Sequence, residues 1–165
     1  AKLQAKLPLG NSLALMAQEL DNDIYASTLP ENYLTLFAGI LDYAGETLHW
    51  INAGHNTQYL LRREGRLEKL PSTGRPLGLL PGGGYIEIET RLEPGDTIFL
   101  FTDGLPDAEN ENGEFFGEES LEKILLAQTG KRVNQILRAV EEAIRSHSES
   151  TLASDDASML VLRTG

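Results

Sequence analysis

Two short acidic segments carry the chemistry legible in this sequence. Asp103 directly follows the apolar run Thr97 to Thr102, and Asp155-Asp156 stands just before the apolar run Ser158 to Leu162. A carboxylate at the end of a core strand is held by a rigid element, which is what a metal site requires of its ligands. If the two runs are neighbouring strands, two or three carboxylates converge. Like charges gathered in one place either retain a proton or are neutralised by a divalent cation. Oxygen donors in a chain with no cysteine and three histidines suit Mg2+ or Mn2+ better than zinc. The same residues also have a plainer reading, with Asp103-Gly104 as a turn after a strand and Asp155-Asp156 as a solvated loop. Local texture leaves both open.

The other reactive side chains are less specific. His55, in the loop Gly54-His55-Asn56, has the chemistry of a general acid, but a loop histidine that fixes backbone geometry is the reading we take. His49 within a strand and His147 near a helix end read as ordinary surface or packing residues. Gly82-Gly83-Gly84 opens no helix, so it reads as a flexible loop rather than a phosphate cradle. Arg75 either approaches a substrate anion or pairs with surface acids.

The elements that must position these groups follow from periodicity. Ala1 to Leu7 reads as the tail of a helix ended by Pro8. Asn11 or Ser12 caps a second helix with Leu13, Met16, Ala17, Leu20 and Ile24 at helical spacing. Tyr33 to Leu41 is nearly continuously apolar, as for a strand buried on both faces. Thr47 to Ala53, Thr57 to Arg63 and Leu67 to Leu70 continue as strands joined by short turns, giving an antiparallel meander. Pro71 to Gly84 is an extended loop, and Tyr85 to Arg91 alternates as a half-exposed strand. Thr97 to Thr102 is a core strand. Asp107 to Gly117 is loop-like, with Phe115 and Phe116 as its apolar fixings. Helices over Glu118 to Gln128 and Val133 to Ser148 follow, the second carrying Val133, Ile136, Leu137, Val140 and Ile144 on one face. Ser158 to Leu162 closes the chain. The order defines an α+β domain with helices laid against antiparallel sheets.

Composition bounds the function classes. A chain of 165 residues with 41% hydrophobic and 24% charged residues fits one globular domain with a substantial core. A net charge of -11, from 25 acidic and 14 basic residues, disfavours nucleic acid and anionic membranes as partners. No apolar run is long enough to insert in a bilayer. The absence of cysteine excludes disulfides and thiolate nucleophiles, and it fits a cytoplasmic location.

A series of motifs in fixed order adds to this reading. Tyr33-Leu34-Thr35-Leu36-Phe37-Ala38-Gly39-Ile40-Leu41-Asp42 comes first, then Asn52-Ala53-Gly54-His55-Asn56 and Thr73-Gly74-Arg75-Pro76-Leu77-Gly78. Leu92-Glu93-Pro94-Gly95-Asp96 leads to Leu100-Phe101-Thr102-Asp103-Gly104, Gly113-Glu114-Phe115-Phe116-Gly117 and finally Asp155-Asp156-Ala157-Ser158. The succession, within residues 33–162, resembles the phosphatase domain of the stage II sporulation protein E type, the bacterial branch of the protein phosphatase 2C superfamily. The resemblance implies two antiparallel sheets sandwiched between helices. It also implies two Mn2+ or Mg2+ ions that activate a water for in-line attack on phosphoserine or phosphothreonine. By matching position, Asp103 and Asp155 are the metal ligands, while Gly104, Asp156 and Ser158 support them. The implied substrate is a phosphorylated regulatory protein resembling an anti-anti-sigma factor. On so acidic a chain, cations must bridge the carboxylates to the phosphoryl group.

The sequence departs from this family in one respect. The family's further metal Asp, in a motif of the form D-[V/I]-x-G-x-G, has no counterpart here. The expectation is therefore a single partial phosphatase domain over residues 1–165 that lacks its N-terminal strands. Its metal centre would be incomplete, its hydrolysis poor, and its uncovered sheet edges open to homodimerisation. The rival expectation is a catalytically dead module that binds a phosphoprotein or transmits a signal.

Overall fold

A computed structural model describes residues 12–27, 29, 32–42, 46–148 and 157–165. The helix expected over Ala1 to Leu7 and the acidic pair Asp155-Asp156 lie outside the described residues. Along the chain run α1 (Leu13–Ser27), β1 (Leu36–Asp42), β2 (Thr47–Ala53), β3 (Gln58–Leu61), β4 (Leu67–Leu70), β5 (Ile88–Arg91), β6 (Thr97–Phe101), α2 (Glu118–Ala127), α3 (Val133–Ser148) and β7 (Met159–Arg163). The strands form two antiparallel sheets, ordered β1-β2-β5 and β4-β3-β6-β7. The backbone groups into two compact units, one holding residues up to Thr57 and Pro71–Leu92, the other Gln58–Leu70 and Glu93–Gly165.

In the first unit, Ser12 starts α1: its hydroxyl accepts from the Ala14 amide at 3.2 Å and its carbonyl from the Met16 amide at 3.1 Å. This satisfies helix-end donors that would otherwise lack partners. The helix buries Leu13, Met16, Ala17 and Leu20 against Ile51, Ala53, Leu77 and Tyr85. Tyr33 to Leu41 was expected to be buried on both faces, and that expectation fails. Among the described residues β1 pairs with β2 alone, at the end of its sheet, and Ile40 is 41% exposed. An apolar run does not distinguish an edge from a centre, because only the number of hydrogen-bonded neighbours differs.

In the second unit, Tyr59, Phe99, Phe101 and Val161 point from the sheet into a core closed by Leu121 and Leu125 of α2 and Ile136 and Val140 of α3. The apolar face expected for α3 is the one packed here, with Val133, Leu137 and Ile144 at its margin. The single meander expected from Thr47 to Leu70 is corrected. β2 belongs to one sheet and β3 to the other, so the chain changes sheet between Ala53 and Gln58. The expected strand Tyr85 to Arg91 is also shorter, because only Ile88–Arg91 pairs with β2 and Ile86 faces solvent.

Candidate active site

β6 delivers Asp103, and the packing of its last residues fixes where. Four of its five residues are buried. The Phe101 ring stacks on Tyr59 with centroids 5.5 Å apart and planes within 4°. The buried side chain of Gln58 holds the Phe101 backbone through both peptide groups, donating to its carbonyl at 3.1 Å and accepting from its amide at 2.7 Å. One residue on, the Thr102 amide donates to the Ser158 carbonyl at 3.0 Å, and the Ser158 amide donates to the Thr102 hydroxyl at 2.9 Å. Asp103 and Gly104 then open a tight turn, in which the Leu105 amide reaches the Thr102 carbonyl at 3.1 Å and the Asp107 amide the Asp103 carbonyl at 2.9 Å. Leu105 drops into the core and closes that turn.

The result is an exposed carboxylate on a backbone held by two neighbouring strands. No described lysine or arginine forms an ion pair with it. Among the described residues no three His, Asp or Glu side chains gather into a group that could hold a metal ion. What they offer a cation is one rigidly based oxygen donor, and this fits Mg2+ or Mn2+ rather than a softer metal. Ser158 stands beside Thr102 through its main chain. Gly104 is half-buried in the turn.

In the first unit, the Asn52-to-Asn56 and Thr73-to-Gly78 motifs interlock. The buried Asn52 side chain accepts from the His55 amide at 2.8 Å and donates to the Asn56 carbonyl at 3.1 Å, shaping the loop around His55. The Asn52 carbonyl accepts from the amides of Thr73 and Gly74 at 2.8 and 3.1 Å. Gly54 has φ +68°, and a Cβ there would lie 2.4 Å from Pro76 Cδ. His55 Nδ1 lies 3.0 Å from the Thr35 hydroxyl, which agrees with a loop-fixing histidine. Asp21 was not singled out from the sequence. It is fully buried on α1 and accepts from the Gly78 amide at 2.7 Å and the Gly83 amide at 3.2 Å. Arg75, for which two roles were open, pairs with Asp21 at 3.3 Å and donates to the Leu80 carbonyl. The Gly82-to-Gly84 segment is thus tied at Gly83 rather than free. Burial, with Asp21 alongside, pushes the Tyr85 phenol up to about 12.

Back in the second unit, the segment after Asp103 is ordered by its own backbone. The Phe116 amide donates to the Ala108 carbonyl and the Gly117 amide to the Pro106 carbonyl, both at 2.8 Å. Of the two phenylalanines expected to fix it, Phe116 is buried and edge-on to His147, while Phe115 is 60% exposed. His147 also meets the Glu114 carbonyl at 2.9 Å. The Leu92-to-Asp96 motif is a structural turn. Buried Asp96 accepts from the amides of Glu93 and Arg63, each at 3.0 Å, and from the Arg62 guanidinium at 2.7 Å.

An α+β chain with two antiparallel sheets and, among the described residues, three helices has the architecture of a PP2C-like phosphatase domain. The solved PP2C phosphatase domain, with a fragment of its regulatory domain, of SpoIIE from Bacillus subtilis shares the fold. Its TM-score is 0.79 at 18% identity, covering 98% of this chain and 47% of that one. The chain belongs to the stage II sporulation protein E (SpoIIE) family, whose sequence pattern matches residues 2–165. Among curated relatives it is 31% identical over 150 residues to protein IcfG of Synechocystis, covering 90% of this chain and 24% of that protein. It is 24% identical over 132 residues to the phosphoserine phosphatase RsbU of Bacillus subtilis, covering 79% of this chain and 39% of that protein. The chain therefore spans well under half of either relative.

Thr102 and Gln58 are the residues around Asp103 that sequence reasoning missed. The sequence held part of the signal for Gln58, an amide side chain opening the apolar run Tyr59-Leu60-Leu61; its full burial, which demands a partner, is seen only in the structure. Nothing local distinguished Thr102 from the rest of its motif.

Proposed function

We propose that this chain carries the site of a metal-dependent protein serine/threonine phosphatase, with Asp103 and Asp155 as carboxylate ligands to Mn2+ or Mg2+. The observation that carries the reading is the paired hydrogen bonding of Thr102 with Ser158. It sets the residue before Asp103 beside the last residue of the Asp155-to-Ser158 motif. Asp155 precedes Ser158 by three residues in the sequence, and that closeness along the chain supports Asp103 and Asp155 as ligands of one ion.

When bound, divalent cations of this kind stabilise charge on phosphoryl oxygens and lower the pKa of water. The chain's part is to hold Asp103 still on a strand end and to leave its carboxylate open to solvent. Gly104 occupies the turn after Asp103, and Asp156 and Ser158 are its counterparts in the second motif. RsbU bears the name of a phosphoserine phosphatase, which supports phosphoserine as the group attacked; in this reading a phosphorylated regulatory protein of anti-anti-sigma-factor-like type carries it. These 165 residues contain no D-[V/I]-x-G-x-G motif, so assayed alone they are expected to hold metal weakly and turn over slowly.

The test is chelation of the full-length protein with EDTA, followed by readdition of Mn2+, with release of phosphate from a phosphoserine protein as readout. Activity should vanish and return. Phosphoprotein binding with no Mn2+-dependent turnover would replace the enzyme by a binding module.

A further inference from the structure

We infer that Gln58 is a positioning residue for Asp103, and that its side-chain amide, rather than the strand ladder alone, sets the metal affinity of that carboxylate. The inference rests on the metal role proposed for Asp103. β3 and β6 are paired from Leu61 with Thr97 to Tyr59 with Phe99. Beyond that point, where Phe101 leads into Thr102 and Asp103, the Gln58 side chain takes over.

Its amide does what a peptide group would do. Nε2 donates to the Phe101 carbonyl at 3.1 Å, and Oε1 accepts from the Phe101 amide at 2.7 Å. Both bonds are buried, and Gln58 itself is wholly inaccessible. On the other side, Thr102 is held by Ser158. The strand end carrying Asp103 is thus gripped from both neighbours at consecutive residues.

Such a grip matters to a carboxylate ligand more than to the fold. Sheet pairing and the Tyr59–Phe101 stack hold β6 in place without Gln58, whereas the direction of Asp103 depends on the peptides leading to it, of which Gln58 holds the two flanking Phe101. Groups that orient a ligand from outside typically contribute 10- to 100-fold in metal affinity. Losing Gln58 should therefore loosen the site before it unfolds the domain.

The experiment measures Mn2+ binding to the full-length protein by electron paramagnetic resonance, together with kcat as a function of Mn2+. Gln58→Met keeps the length of the side chain and removes both bonds. We expect half-saturating Mn2+ to rise about tenfold, with kcat at saturating Mn2+ largely retained. Val140→Ala, a cavity in the same unit remote from β6 in sequence, serves as the stability control and should leave Mn2+ affinity unchanged. Wild-type affinity in Gln58→Met, or an equal loss in Val140→Ala, overturns the inference. Gln58→Asn, whose amide sits one methylene short, is held to the same criterion if Gln58→Met does not fold. Asp103→Asn separates the two claims: if it too binds Mn2+ normally, the metal role fails and not merely the positioning.

Discussion

Arg62 and Asp96 form an ion pair 2.7 Å long in which the carboxylate is fully buried and the guanidinium 13% exposed. Arg62 reaches Glu68 as well, at 2.8 Å, so one cation joins β4 to the turn before β6. Burial alone would raise the Asp96 carboxyl, but the Glu93 and Arg63 amides and the Arg62 guanidinium outweigh it and hold the group below the usual carboxylate range. The Arg62 hydrogen bond does the same for Glu68 against a smaller cost of burial.

Groups with depressed folded-state values stabilise fully above their unfolded pKa, about 4, and lose that contribution as pH falls through the folded value. Urea unfolding should therefore show stability falling below about pH 4. Asp96→Ala leaves Arg62 without its buried partner and should cost about 3 kcal/mol at pH 7, with a flatter acid limb. A variant with the wild-type acid limb would show that the pair does not govern it.

Asp21 should prove as consequential in the first unit. Asp21→Ala strips partners from the Gly78 and Gly83 amides and from Arg75 together. A destabilisation of about 3 kcal/mol is expected, with amide hydrogen exchange rising first across residues 78–83. Unchanged exchange there would show that the loop is held by other contacts.

Gly54→Ala should be among the most damaging single-methyl additions. The new Cβ meets Pro76 at under 3 Å in a left-handed backbone, so either the loop or Pro76 must move. Thermal or urea unfolding should register a loss of about 2 kcal/mol. Gly84→Ala, which has open space and ordinary φ, should be nearly neutral by comparison.

Much of the fold was legible because its signals are local. The alternation in Thr47 to Ala53, the apolar face of Val133 to Ser148 and the glycine at the β3–β4 turn each specify an element without reference to the rest of the chain. The division into two sheets was not local. It rests on β2 pairing with β5 and β3 with β6, partners far along the chain, and only the family resemblance pointed to two sheets. Ile40 and Phe115 show the converse limit, since an apolar residue at a strand edge or loop tip looks in sequence like one in the core. Asp103 and Ser158 were named from the sequence, but Gln58 and Thr102, which hold the end of β6, were not. The Gln58 side chain bonds to the Phe101 backbone and the Thr102 hydroxyl accepts from the Ser158 amide, and such bonds to backbone leave little trace in residue type.

The most direct test of the account is the Mn2+-dependent release of phosphate from a phosphoserine protein by the full-length protein carrying Asp103→Asn. The substitution preserves size and leaves the backbone bonds of the turn available, so the protein should remain folded. Its kcat should fall by about two orders of magnitude or more, as expected when a group serving a metal centre is lost. An unchanged kcat at equal Mn2+ would contradict the metal role of Asp103 and with it the proposed site.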